Sequence, residues 1–250
     1  MLSRNQIKEI RSLKQKKFRQ KYDKFVVEGH KTSIEFIKSG TFQIENIFAL
    51  ESWSDRYYDI LGKRSDLLNT ISEKEMARIS LLTTPSDVLL VCKKPELEVK
   101  LPLKETSFAF YLDDIQDPGN LGTIIRICDW FGMINLYLSP ETVDEYNPKV
   151  IQATRGSICN VSIIRNDLAR LKSLLSCKII GTDLHGIPLK TYHWSPGSLI
   201  ILGNEGKGIS DSIQPLLDDK VLISGANQKI AESLNVASAA SILAYDVQKN

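Results

Sequence analysis

Three segments in the second half of the chain carry residues that a hydrophobic core has no use for. They read Asp113-Asp114-Ile115-Gln116-Asp117-Pro118-Gly119-Asn120-Leu121-Gly122-Thr123-Ile124-Ile125-Arg126, then Leu202-Gly203-Asn204-Glu205-Gly206-Lys207-Gly208, then Ile223-Ser224-Gly225 leading on to Ser233-Leu234-Asn235-Val236. Each follows an apolar run that predicts a β-strand. Glycines, carboxamides and unpaired main-chain amides collect where ligand-binding loops leave the carboxyl ends of parallel strands. Asp117-Pro118-Gly119-Asn120 is a turn by composition, and Asn120 stands where it would cap a helix starting near Leu121. Arg126 falls near the second turn of that helix, close enough to the loop to face the same crevice. Read alone, Asn120 is as readily a cap, and Arg126 as readily a surface cation. A guanidinium keeps its proton at neutral pH, so Arg126 is poorly suited to act as a free base.

Other chemistries find less in the residues. Only three residues separate Gly203 from Lys207, and Gly208 follows, so this is no phosphate-binding P-loop; nor does it match the dinucleotide G-x-G-x-x-G. Its glycines instead let main-chain groups approach a flat ligand. His30, His185 and His193 have no companions at metal or triad spacing and read as structural or surface residues. Cys92, Cys128, Cys159 and Cys177 are widely separated, so no metal is expected and reduced thiols of a cytoplasmic protein are.

The elements that must position these loops follow from the periodicity. In the first part, helices are predicted over 4–18, 31–39, 57–63 and 73–80, and strands over 24–29, 44–50, 68–71 and 88–92. The second part predicts strands over 108–112, 135–138, 177–182, 199–202 and 221–223, with helices over 121–131, 148–155, 167–175, 210–217 and 234–248. That alternation makes a parallel sheet with crossover helices, preceded by a smaller α/β domain. The expected division is 1–95, a linker at 96–105 marked by Pro102 and alternating charge, and 106–250.

Composition narrows the partners. Residues 1–24 hold nine Lys/Arg against Glu9 and Asp23, a net +7, while the whole chain is only +2. A basic leading arm on a slightly acidic body suits a polyanion, although a solvated amphipathic helix would read the same way from charge alone. Met1-Leu2-Ser3-Arg4-Asn5-Gln6 has no apolar h-region, and no long uncharged apolar run is present, so neither a signal peptide nor a membrane span is expected.

Taken together and in this order, the three segments resemble the three motifs of the SpoU (TrmH-like) branch of the SPOUT RNA 2′-O-ribose methyltransferases, over roughly residues 106–247. Asn147-Pro148-Lys149-Val150 and Gly156-Ser157 match the segment between the first two motifs, with Arg155 standing as either an RNA contact or a surface cation. The amino-terminal part resembles the L30-like RNA substrate-binding domain often fused ahead of them. That likeness lies in Ile10-Arg11-Ser12-Leu13-Lys14-Gln15-Lys16-Lys17-Phe18-Arg19, in Phe25-Val26-Val27-Glu28-Gly29-His30-Lys31 and in Leu82-Thr83-Thr84-Pro85.

The resemblance implies a carboxyl-terminal α/β domain with a deep trefoil knot, a homodimer formed through it, and S-adenosylmethionine as methyl donor. It implies catalytic roles for Asn120, Arg126, Glu205, Ser233 and Asn235, and cofactor contacts from Leu202, Gly203, Asn204, Gly206, Ile223 and Leu234. Thr182, ending a strand beside those loops, joins the cofactor candidates. RNA would be gripped by Arg11, Lys14, Lys16, Lys17, Arg19, Glu28 and Lys31. Ribosomal RNA is the expected substrate, with transfer RNA or a catalytically inactive ribosome-assembly factor as alternatives. The family commonly reads Ile-Pro-Met-x-Gly-x-x-x-Ser-Leu-Asn in the third motif; this chain lacks the Pro-Met and is two residues longer there.

Overall fold

A computed structural model describes residues 2–95, 108–175, 177–226 and 230–249. The expected linker at 96–105 lies outside the described residues. By contacts the chain forms two compact units, Met1–Glu98 with Asp144–Cys159, and Val99–Val143 with Asn160–Asn250.

The first unit opens with α1 (Arg4–Ser12) and α2 (Lys16–Tyr22), where one helix over 4–18 is predicted. Ser3 and Gln6 form a capping box at the start of α1. The break after it is held by Arg19, whose Nη1 donates to the carbonyls of Leu13 (2.8 Å) and Lys14 (2.9 Å). Carbonyls orphaned at a helix end need such a donor. There follow β1 (Lys24–Glu28), α3 (His30–Ser39), β2 (Ile44–Ala49), α4 (Glu51–Leu61), β3 (Leu68–Thr70), α5 (Glu73–Ile79) and β4 (Val88–Lys93). The sheet order is β1-β4-β2-β3, with β4 antiparallel to both neighbours and β2 parallel to β3. Side chains alternate across the pleat. Val26, Phe48, Leu89 and Val91 pack with Ile10, Leu13, Met76 and Ile79, while Phe25 meets Phe36, Phe42 and Tyr146 in an aromatic cluster.

The second unit starts with β5 (Ala109–Leu112), α6 (Pro118–Trp130) and β6 (Asn135–Leu138). The helix α7 (Pro148–Thr154) belongs by contacts to the first unit. The second unit resumes with β7 (Ser162–Arg165), α8 (Leu168–Leu174), β8 (Ile179–Pro188), β9 (Leu199–Leu202), β10 (Asp219–Leu222) and α9 (Val236–Val247). All six strands run parallel in the order β10-β8-β9-β5-β6-β7. One core layer gathers Tyr111, Tyr137, Leu168, Leu171, Ile201 and Ile213.

Three local outcomes differ from expectation. The edge strand β7 lies in a stretch too short and too half-buried to show a period. The helix expected over 210–217 is instead a set of turns with one 3₁₀ turn at Gln214–Leu216, because Ser210 is bonded to Asp113 and Pro215 has no N–H. Strand β8 runs on to Pro188, and its register with β10 jumps from Gly181–Lys220 to Ile187–Val221, so 182–186 bulge out between them.

Candidate active site

The site is built at the carboxyl ends of β5, β9 and β10. Asp117, not Asn120, caps α6: its Oδ1 accepts from the Asn120 N–H at 2.8 Å, and Pro118 takes the first helical position. Asn120 therefore sits inside the first turn with its carboxamide released from capping. That carboxamide joins the other two motifs. Its Nδ2 donates to Glu205 Oε1 at 2.6 Å, and its Oδ1 accepts from Asn235 Nδ2 at 2.9 Å. Asn235 is itself the cap of α9, its Oδ1 accepting from Ala237 N (2.9 Å) and Ser238 N (3.3 Å). The helix fixes the Asn235 oxygen inward, so its NH2 must point out to Asn120, whose NH2 must then face the carboxylate. One polarised chain, Asn235 to Asn120 to Glu205, ties the three loops.

The second loop is closed on itself. Asn204 exchanges main-chain hydrogen bonds with Gly208 (3.0 and 2.8 Å). Its Oδ1 accepts from Gly206 N (2.9 Å) and Lys207 N (3.1 Å), and its Nδ2 donates to Asp114 O (2.7 Å). A Cβ on Gly203 would lie 2.4 Å from the Gly208 carbonyl carbon, so backbone packing leaves room for glycine alone. Gly206 is different: the nearest atom to a Cβ there is Asn204 Oδ1 at 3.7 Å, and the residue is exposed. The carbonyl of Leu202 accepts from Asp113 N (2.9 Å), and the buried Asp113 carboxylate accepts from Ser210 N (2.7 Å) and Oγ (2.6 Å), pinning the far end of the loop. Burial, then the charge of Asp113, raises the Tyr111 phenol above its ordinary range, so it stays a neutral donor, to Asn166 O.

Thr182 does not end its strand, since β8 runs on to Pro188; it is half-buried where the β8–β9 pairing stops, its Oγ1 donating to Ile201 O at 3.0 Å. Ile223 is half-buried just past β10, while Ser233 and Leu234 are exposed. Residues 227–229 of the lengthened third loop lie outside the described ones. Arg126 is exposed on α6, six residues and about 120° around the helix from Asn120, so it stands apart from the Asn120 side chain rather than beside it.

In the first unit Arg11, Lys14, Lys16, Lys17 and Lys31 are exposed. Two expectations there are corrected. Arg19 is 2% exposed, with Nε and Nη2 on Asp144 Oδ2 (2.8 and 2.5 Å) besides the two carbonyls, so its donors are spent internally. Glu28 is 4% exposed and accepts from Ser80 Oγ (2.5 Å) and Leu81 N (2.9 Å), fastening the end of α5 to β1.

Two further residues that shape these loops, Asp113 and Arg165, are not among the expected site residues. The first has a signal, an acid directly after an apolar strand. Arg165 has none: its Nη1 and Nη2 donate to the carbonyls of Ser139 (2.7 Å), Thr142 (2.7 Å) and Val143 (2.9 Å), shaping the loop after β6. Among the described residues no group of three or more His, Cys, Asp or Glu is arranged to hold a metal ion, and no helix is long and apolar enough to cross a membrane.

Comparison with known proteins agrees with this geometry. The SpoU rRNA Methylase family model matches residues 107–245, more than half the chain, and the MRM3-like substrate binding domain matches residues 4–90. The 23S rRNA (guanosine(2553)-2'-O)-methyltransferase RlmP of Bacillus subtilis is 31% identical over 246 residues, covering 97% of this chain and 95% of that one. An AdoMet-bound rRNA methyltransferase from Sinorhizobium meliloti superposes with a TM-score of 0.88 at 27% identity, over 100% of this chain and 96% of that one. The SpoU methyltransferase AviRb from Streptomyces viridochromogenes, in complex with AdoMet, shares the fold with a TM-score of 0.85 at 22% identity, over 99% of this chain and 98% of that one. The chain belongs to the SpoU rRNA methylase family.

Proposed function

We propose that this protein transfers a methyl group from S-adenosylmethionine to a ribose 2′-hydroxyl of ribosomal RNA. The observation that carries the reading is the hydrogen-bonded chain Asn235–Asn120–Glu205, which gathers all three motifs at the carboxyl end of the parallel sheet.

The residues fit the cofactor. Thr182 and Leu202 lie side by side, one residue past the Gly181–Ile201 pair of β8 and β9, and Ile223 follows β10, the other neighbour of β8; the glycine turn after β9 has one exposed main-chain face at Gly206. Gly203, Asn204, Gly206, Ile223, Leu234 and Thr182 would hold it, largely through main-chain groups. Bound there, S-adenosylmethionine supplies an electrophilic methyl on a sulfonium that needs little further activation. The protein's own work is positioning and charge stabilisation. Arg126 holds the RNA phosphate and stabilises charge growing on the 2′-oxygen, whose proton leaves through phosphate or water. Glu205 and Asn120 order the loops, with Ser233 and Asn235 beside them.

The first unit serves as the substrate-binding domain, its exposed Arg11, Lys14, Lys16, Lys17 and Lys31 contacting phosphate. The convergence of 202–209 and 233–235 on α6 supports winding of the carboxyl-terminal part into a deep trefoil knot. Trp130, 85% exposed on α6, with Ile242 and the 57% exposed Tyr245 on α9, offers the apolar surface for a homodimer through the second unit. Buried Cys92 and Cys128 thiols suit the reducing cytoplasm. Calorimetric titration with S-adenosylmethionine tests the assignment, and absence of binding sinks it. Arg126→Ala should abolish methyl transfer to ribosomal RNA while leaving cofactor affinity within about threefold; loss of cofactor binding instead removes the role given to Arg126.

A further inference from the structure

The first unit carries an aromatic group that the basic helices do not account for. Trp53 Nε1 donates to His30 Nδ1 at 2.9 Å. The His30 ring also lies 4.5 Å, centroid to centroid, from Tyr57, and Tyr57 lies 5.3 Å from Trp53. Trp53 is buried, whereas His30 and Tyr57 are half-buried and reach the surface. The indole bond settles the imidazole: Nδ1 is an acceptor, so the neutral ring carries its proton on Nε2 and presents a donor on the side away from Trp53.

Cations adjoin this group in sequence, and one exposed acid, Asp87, lies at the same turn, its carbonyl accepting from Leu50 N while the next carbonyl, of Val88, accepts from Gly29 N. His30 opens α3 directly after Gly29, whose φ of 107° L side chains rarely adopt, and the exposed Lys31 follows at the start of the same helix. Exposed Arg56 immediately precedes Tyr57. The acids of α4, Glu51, Asp55 and Asp59, fall on the far side of that helix from Trp53 at 100° per residue. Gln152 of α7 donates to the Glu28 carbonyl at 3.0 Å, and the exposed cap Arg155 follows three residues on, just before Gly156, which packs against Glu35 of α3.

We infer that His30 and Tyr57, braced by Trp53, form a stacking site for one unpaired base of the RNA substrate, with His30 Nε2–H donating to that nucleotide and Lys31 and Arg155 flanking its phosphates. The inference rests on the RNA-methyltransferase reading and deepens it, because it names single-stranded rather than duplex RNA as what this unit grips. Aromatic rings select bases outside a duplex, since those inside one are stacked on both faces by their neighbours, and the stacking itself depends little on salt.

The test uses the full chain and a fluorescein-labelled oligouridine of about 12 nucleotides, followed by anisotropy over a salt series beside an RNA duplex of equal length. His30→Ala and Tyr57→Ala should each weaken oligouridine binding about tenfold with an unchanged salt slope, Tyr57→Phe should stay within about twofold, and duplex binding should move less than about twofold. Lys31→Ala should instead lower the salt slope by about one. On the unsubstituted chain, photo-crosslinking with thiouridine-bearing oligouridine should label the peptides carrying His30 or Tyr57, which keeps the test valid if a variant fails to fold. Binding of both alanine variants within about twofold of the parent overturns the site, as do crosslinks confined to other peptides. If the parent still methylates ribosomal RNA, that failure falls on the stacking site alone; a parent that takes up neither S-adenosylmethionine nor RNA overturns the broader reading too.

Discussion

Asn235 caps α9 with its carboxamide oxygen and, through the nitrogen of the same group, donates to Asn120 Oδ1 at 2.9 Å. A single side chain thus closes a helix and joins two loops 115 residues apart. Its two functions separate by chemistry. Asn235→Asp keeps the oxygen that caps but replaces the NH2 with a second acceptor facing Asn120 Oδ1. Methyl transfer should fall at least about tenfold while stability stays within about 0.3 kcal/mol, whereas Asn235→Ala should lose both the cap, about 1 kcal/mol, and the activity. Melting curves and transfer of labelled methyl to ribosomal RNA read the two effects separately.

The two glycines of the second loop should behave differently. Gly203→Ala puts a methyl 2.4 Å from backbone that cannot move without opening the Asn204–Gly208 pair, so it should cost about 1–3 kcal/mol and abolish cofactor binding. Gly206→Ala meets nothing closer than 3.7 Å and should fold within about 0.5 kcal/mol of the parent while weakening S-adenosylmethionine. Equal stability loss in both variants would show that Gly206 serves the fold rather than the ligand.

Arg19 and the neighbouring lysines make a second contrast. Asp144→Ala leaves the Arg19 guanidinium buried without its carboxylate and should cost about 3–5 kcal/mol of unfolding free energy in denaturant. Lys16→Ala and Lys17→Ala, both exposed, should leave the denaturant midpoint unchanged and reduce the salt slope of RNA binding by about one each where they touch phosphate.

Acid should loosen the β8–β10 edge. A hydrogen bond from Lys220, then the His185 N–H, holds the Asp183 carboxyl below an ordinary aspartate's 3.8; Lys178, then Tyr192, does the same for Asp219. Both folded-state values are depressed, so their stabilisation is present above the ordinary value and is lost as pH falls through the folded one. The melting-temperature gap between the parent and Asp183→Asn should therefore be constant above about pH 5 and close as pH drops below about 4. A gap that widens in acid would contradict the pairing.

Much of the scaffold was legible along the chain. Apolar runs such as Leu199–Leu202 and Val88–Lys93 are strands because nothing else buries so continuous a stretch, and the three polar segments after their strands were recognisable as loop chemistry. What stayed hidden depends on partners far away in sequence. Whether Asn120 caps a helix or serves a site turned on Asp117 taking the cap and on Glu205, 85 residues on, supplying an acceptor. Arg19 reads as one more cation in a basic helix until Asp144, 125 residues later, draws it into the interior. The alternation of strands and helices and the residue types each loop presents follow from local periodicity and backbone preference. Which polar side chains are spent inside and which remain for a ligand depends on the folded chain, because burial and hydrogen-bond satisfaction belong to neighbours in space.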